Sequence, residues 1–256
     1  MAFLVNDDSN TTVYDDVSVE IDTEGSLDSA RVIVPILTAL LNPKSVIDFG
    51  CGHGAWLKAF QESGVKVIGG LDGPWVDQSK LLIDKTRFKT VDLSQPFDID
   101  GKWDLAICVE LAEHLPEKAS RPLIRALTSA APIVLFSAAI PGQTGTCHIN
   151  EQWPAYWKSL FAERGFRGLD PIRRHVWQDS RVDWWYQQNV FLYASNDAIA
   201  QSKVLQAEEQ RTSDSQLTLI HESVLENILV HYRSLSGLLK EVPPAAFRAF
   251  KRCLHR

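Results

Sequence analysis

The chain has 256 residues, 45% hydrophobic and 23% charged, with a net charge of −6. That length carries one sizeable core plus an appendage, and the charge balance argues against a general affinity for nucleic-acid backbones. No run approaches the roughly 20 apolar residues of a membrane span, MAFLVNDDSN at the start lacks the basic lead of a secretion signal, and Cys51, Cys108, Cys147 and Cys253 form no CxxC pair, so a reducing, cytoplasmic setting is expected.

Residues 1–25 are acidic, without lysine or arginine, and are expected to be irregular. Leu27, Ala30, Ile33, Leu37 and Leu40 put an apolar face on a helix over 26–41, which Pro35 is expected to kink or split. SVIDF (45–49) reads as a short buried strand and 55–63 as a helix closed by Gly64. Strands are expected at 65–72, 88–93, 103–109 and 132–138, with helices at 117–130 and 153–166. Two more strands are expected near 168–177 and 187–194, paired antiparallel at one edge. Strands alternating with helices imply a parallel α/β sheet covered on both faces. From about 197 the character changes. Residues 214–242 read as one long amphipathic helix whose Leu225, Ile228, Tyr232, Leu235, Leu239 and Val242 form a heptad seam. That seam suits either packing on its own domain or a homodimer contact. The division is therefore 1–25 acidic segment, 26–196 α/β domain and 197–256 helical extension.

The stretch DFGCGHG carries the chemistry. Gly50, Gly52 and Ala55 satisfy the dinucleotide pattern, with Asp72 placed to meet ribose hydroxyls. Asp48, at the end of the first strand, points elsewhere, because it can meet an ammonium group that a nicotinamide dinucleotide lacks. With these features in order, the chain resembles the class I S-adenosylmethionine-dependent methyltransferases over roughly residues 27–195. The resemblance implies a Rossmann-like seven-stranded sheet of order 3-2-1-4-5-7-6, strand 7 antiparallel, with the C-terminal helices added. It implies that Asp48, Gly50, Gly52 and Gly54 hold the methionyl side of S-adenosylmethionine. By the same likeness Asp72 holds the ribose, Asp92 and Leu93 the adenine, and Val109 the methionyl group through its backbone.

ELAEH (110–114) puts Glu110, Glu113 and His114 on one face of a helical turn. Two carboxylates and an imidazole suit a magnesium or manganese ion. The pattern E-x-x-E-H is similar to that of metal-dependent O-methyltransferases, including the type that acts on small-RNA ends, which adds a histidine after the fifth strand. His148 lies in such a loop. Two readings stay open: a divalent metal held by Glu110, Glu113, His114 and His148, or metal-free transfer with His148 as general base. Glu110 and His148 are the catalytic candidates, and His175 is a distant second base. Asn150, Glu151, Trp153 and Trp184 are the candidate acceptor-binding residues, since aromatic faces and polar side chains suit a sugar ring. The expected activity is methyl transfer to a hydroxyl of a small polar acceptor, most simply a sugar or glycan precursor. Alternatives are an amine, carboxyl or RNA-end acceptor, and a non-catalytic assembly role for the long helix.

Overall fold

The computed structural model describes residues 16–97, 99 and 101–233. Helix α1 (Asp16–Leu41) is one continuous helix, with Pro35 inside it. It starts ten residues earlier than expected: no proline interrupts 16–25, and its one glycine, Gly25, costs only about 1 kcal/mol. Residues 1–15 of the acidic segment lie outside the described part. Pro35 does not split α1, because it and Arg31, whose carbonyl loses its partner, both face solvent.

Strand β1 (Ser45–Phe49), helix α2 (Ala55–Glu62) and strand β2 (Val67–Asp72) follow. Then come β3 (Phe88–Thr90), β4 (Leu105–Val109), α3 (Ser120–Ala130), β5 (Ile133–Ser137), α4 (Pro154–Ala162) and β6 (Phe166–Leu169). Two short helices, α5 (Arg173–Val176) and α6 (Trp184–Asn189), precede β7 (Phe191–Ser195). The seven strands are ordered β3-β2-β1-β4-β5-β7-β6, and β7 runs antiparallel to both β5 and β6. The expected topology therefore holds. The strand expected at 168–177 stops at Leu169, and the residues beyond it turn into α5. The one expected at 187–194 begins only at Phe191, because 184–189 coil into α6.

Side-chain alternation divides the core. From β4, Leu105, Ile107 and Val109 join Ile33 and Leu37 of α1 and Leu57 and Phe60 of α2 on one face. Ala106 and Cys108 join Leu123 and Leu127 of α3 and Trp157 and Phe161 of α4 on the other. This period of two buries both faces of the sheet.

The extension continues with α7 (Asn196–Gln201), α8 (Lys203–Arg211), a 3-10 turn (Asp214–Thr218) and α9 (Glu222–Arg233). The single helix expected from 214 is thus broken at 219–221, and residues 234–242 lie outside the described part. The break has a physical reason: His221 donates its backbone N–H to Gln188 Oε1 at 2.6 Å, and Gln188 Nε2 donates to the Leu219 carbonyl at 3.0 Å. The seam is divided too. Of its described members, Ile228 faces Gly142 and Leu225 faces solvent; beside them Val224 is buried, and Leu229 and Val230 are exposed. Arg173, 1% exposed, ties the extension down by donating to the carbonyls of Gln188 and Gln216 at 2.9 and 3.1 Å. Among the described residues, no helix is long and apolar enough to cross a membrane.

Candidate functional site

The carboxyl ends of β1, β2, β4 and β5 lie along one edge of the sheet, the edge at which open α/β sheets bind ligands. The turn after β1 runs through Gly50, Gly52 and Gly54 at φ of +81°, +51° and +84°, a left-handed region that costs other residues about 1–2 kcal/mol. Gly50 and Cys51 donate their N–H groups to the Leu71 carbonyl, at 2.8 and 3.1 Å. Asp72, ending β2, accepts from Gly52 N at 2.7 Å and from Gly73 N at 2.6 Å. It therefore ties the turn to β2 while keeping carboxylate lone pairs for another donor. Burial raises the Asp72 carboxyl above its ordinary range despite those bonds and one from Trp75. Asp48, 3% exposed, is pushed well above its range by burial and then by the charge of Asp72. Two buried carboxyls that disfavour charge suit a cationic ligand.

Asp92 lies in the turn after β3. It is exposed, and its Oδ1 accepts from Ser94 N at 3.0 Å and Ser94 Oγ at 2.6 Å, so one oxygen is committed to its own turn. Leu93 beside it is buried in the core.

Glu110 follows Val109 at the end of β4 with φ +51°, an uncommon conformation for a non-glycine residue. Its N–H reaches Ser137 Oγ at 3.0 Å, and its Oε1 accepts from Asn189 Nδ2 at 3.3 Å. The next residues form the 3-10 turn Ala112–His114. Glu113 is fully buried and accepts from Ala139 N at 3.0 Å through Oε1, while Oε2 has no donor. Burial raises both carboxyls, and the charge of Glu110 raises Glu113 further, so the two titrate as an interacting pair. Burial, followed by the neighbouring His148, lowers His114 to about 4, so its imidazole is neutral at pH 7.

The loop between β5 and α4 brings His148 against His114, with ring centroids 4.8 Å apart and planes at 82°. One ligand atom from each of Glu113, His114 and His148 lies within 4.8 Å of the others. This donor set of one carboxylate and two imidazoles fits a divalent cation, which would need the Glu113 carboxyl ionised. Glu110 is not in that cluster, although its carboxyl neighbours that of Glu113 and accepts from Asn189. The expected four-ligand set is therefore corrected to three.

Two of the expected acceptor contacts have other tasks. Asn150 is buried and donates to the Ala112 carbonyl at 3.2 Å and Ser120 Oγ at 3.1 Å, and it accepts from Gln152 at 3.1 Å. It pins the loop to the 112–120 segment. Glu151 contacts His148 Nδ1 at 3.0 Å and accepts from Gly142 N at 2.8 Å. Burial raises the Glu151 carboxyl, but the bonds from His148 and from the Gly142 and Thr144 backbones together hold it below its ordinary value. Trp153 stays half-exposed at the start of α4. Trp184 packs on Trp185 at the start of α6, next to Asp183, which hydrogen-bonds Ser29 of α1. His175 is exposed on α5, bonded to Arg174.

Sequence reading missed Asn189, Gln143, Asn227 and the Thr23–His53 pair. Asn189 of α6 donates to Gln143 at 2.9 Å as well as to Glu110. Gln143 in turn accepts at its carbonyl from Asn227 of α9 at 2.7 Å, so the extension reaches the site. On the cofactor side, Thr23 Oγ1 of α1 lies 3.1 Å from Nδ1 of His53, within the glycine turn. The segment YQQN carried a signal, since three successive amides ahead of an apolar strand demand internal partners.

Comparison with known proteins agrees with this geometry. Residues 27–189 match the family described as methyltransferase domain. No curated protein matches the sequence. An O-methyltransferase family protein from Burkholderia thailandensis aligns with TM-score 0.53 and 13% identity, over 70% of this chain and 58% of that one. Human N-acetylserotonin methyltransferase, in complex with S-adenosylmethionine, aligns with TM-score 0.50 and 15% identity, over 70% and 55%. CalS10, an amino pentose methyltransferase from Micromonospora echinaspora with S-adenosylmethionine bound, gives TM-score 0.50 and 14% identity, over 73% of this chain and 100% of that one. The chain thus spans less than three-fifths of the first two structures, and at these identities the likeness is one of fold.

Proposed function

We propose, from the premise that this chain belongs to the methyltransferase-domain family, that it moves the methyl group of S-adenosylmethionine to a hydroxyl of a small polar acceptor, in the first instance a sugar. The cofactor, when bound, supplies an electrophilic methyl on a sulfonium. The residues present fit it. The glycine turn exposes backbone at the end of β1, Asp72 retains lone pairs for ribose hydroxyls, and Asp48 offers a buried carboxyl for the methionyl ammonium. Asp92 keeps one oxygen for the adenine amino group.

The observation that carries the hydroxyl reading is His148, held at Nδ1 by Glu151 in the loop after β5. An alcohol must lose its proton during transfer, and an imidazole with one nitrogen fixed by a carboxylate is suited to take it. The remaining rate enhancement is orientation of acceptor oxygen and methyl group along one line. The sugar assignment rests on the half-exposed Trp153 beside this loop, since Asn150 and Glu151 are engaged within the protein.

A second reading has its own observation: Glu113 Oε2 is buried without a donor, beside two imidazoles. Glu113, His114 and His148 would hold a divalent cation, which supplies Lewis acidity toward an acceptor hydroxyl. One experiment separates the two. Transfer of labelled methyl from S-adenosylmethionine is measured across a panel of free sugars, glycosides and nucleotide sugars, with chelator and with added manganese. Activity that survives chelator and is lost in His148→Ala supports the base reading, and activity restored by manganese supports the second. Failure of S-adenosylhomocysteine to bind the folded protein by calorimetry removes both.

A further inference from the structure

The contacts around His148 fix more than its position. Glu151 Oε1 lies 3.0 Å from Nδ1, and the other oxygen, Oε2, accepts the Gly142 N–H at 2.8 Å. Gly142 sits at φ +86°, and Thr144 and Cys147 at +59° and +60°, so the loop curls around the imidazole in left-handed steps. On one side of the ring lies Gly145. A Cβ built there would come within 2.4 Å of Nε2, 2.5 Å of Cε1 and 2.8 Å of Cδ2 of His148. Such similar distances to three ring atoms place that point above the ring face at its Nε2 end. They do not place it along the in-plane lone pair of Nε2, which Gly145 leaves uncovered. The His114 ring stands perpendicular to the same imidazole.

We infer that Glu151 is the positioning residue that holds His148 as its Nδ1–H tautomer, leaving Nε2 as the unprotonated nitrogen offered to the reaction. This rests on the reading of His148 given above. A carboxylate only accepts, so a neutral ring facing it must carry its proton on Nδ1. The same carboxylate must accept from Gly142. A glutamine could satisfy one of these donors, but it would turn its NH2 toward the other. The Gly142 N–H is fixed by the backbone, whereas the imidazole can move its proton. In Glu151→Gln the ring therefore becomes the acceptor at Nδ1 and carries its proton on Nε2. The Nδ1–H tautomer serves both chemistries, since an unprotonated Nε2 either takes a hydroxyl proton or ligates a cation.

The test uses the full chain, labelled with 15N-histidine, saturated with S-adenosylhomocysteine and held at about pH 8.5, where an ordinary imidazole is neutral. Two-bond nitrogen–proton correlations report which nitrogen of each ring is protonated, and His148→Asn identifies the signal. The expected wild-type pattern is Nδ1–H for His148, reversed to Nε2–H in Glu151→Gln. A wild-type ring that is Nε2–H or doubly protonated overturns the inference and needs no variant, as does a folded Glu151→Gln that keeps the wild-type pattern. If the wild-type ring is Nδ1–H but His148→Ala still methylates the sugar panel at the wild-type rate, the proton-acceptor reading falls and the positioning geometry stands.

Discussion

Gly50 and Gly52 share one turn and one backbone region, yet the structure predicts different costs for adding a methyl group to each. Both have left-handed φ, so Gly→Ala carries the same backbone penalty of about 1–2 kcal/mol. At Gly52 a Cβ meets nothing within 4 Å, whereas at Gly50 it falls 2.9, 2.9 and 3.0 Å from Cδ1, Cδ2 and Cβ of Leu111. Leu111 cannot yield freely, because it is buried and directly follows Glu110, itself at φ +51°. Overpacking of this kind costs typically 1–3 kcal/mol. Gly50→Ala is therefore expected to be less stable than Gly52→Ala by about 1–3 kcal/mol, roughly 2–12 °C in midpoint at 2–4 °C per kcal/mol for a chain of this size. Thermal and urea unfolding of the cofactor-free variants measures the difference without involving ligand affinity. Equal losses in the two variants would refute the claim that Gly50 is required by its contact with Leu111, and with it the mechanical link between the glycine turn and the Glu110–His114 segment.

Asp72→Ala removes the acceptor for the Gly52 and Gly73 N–H groups; at 1.5–3 kcal/mol for a charged hydrogen bond, calorimetry should find S-adenosylhomocysteine bound roughly 10- to 150-fold more weakly, and unchanged affinity removes Asp72 from the cofactor site. Glu113 has a folded-state pKa raised by burial and then by Glu110. Its contribution to stability is therefore full below its unfolded value and is lost as pH rises through the folded value. Glu113→Gln can keep the Ala139 bond and offer Glu110 a donor, so its midpoint relative to wild type should improve as pH rises above the ordinary carboxyl range; a pH-independent difference refutes the raised Glu113 carboxyl. Arg173→Met leaves Asp170, 4% exposed, without its buried cation, and only Arg174 remains near it. Losing one partner of a buried pair costs about 3–5 kcal/mol, and the Asp170→Asn/Arg173→Met double variant should recover part of it. If the single variant unfolds like wild type, the anchoring of the extension lies elsewhere.

The sheet, its order through the resemblance, and the glycine turn were legible in the sequence because each rests on local information: short apolar runs, a period of two, and glycines at left-handed steps. The placement of Asp72 at the end of β2 followed from the same local pattern. Pro35 misled, because a proline in isolation reads as a break, and only packing revealed that its missing bond faces water. Spacing on one turn grouped Glu110 with Glu113 and His114; in the fold its carboxyl neighbours Glu113 and takes a bond from Asn189, 79 residues away, but only Glu113, His114 and His148 converge closely. Composition alone made Asn150 and Glu151 equally good ligands for a sugar. Tertiary structure gave Asn150 to Ala112 and Ser120, and Glu151 to His148 and Gly142. Residue type and spacing thus determined which groups are available near the carboxyl edge of the sheet. Which of them remain free for a ligand was decided by the folded chain, because each buried donor or acceptor takes the partner that reaches it, and those partners come from segments distant in sequence.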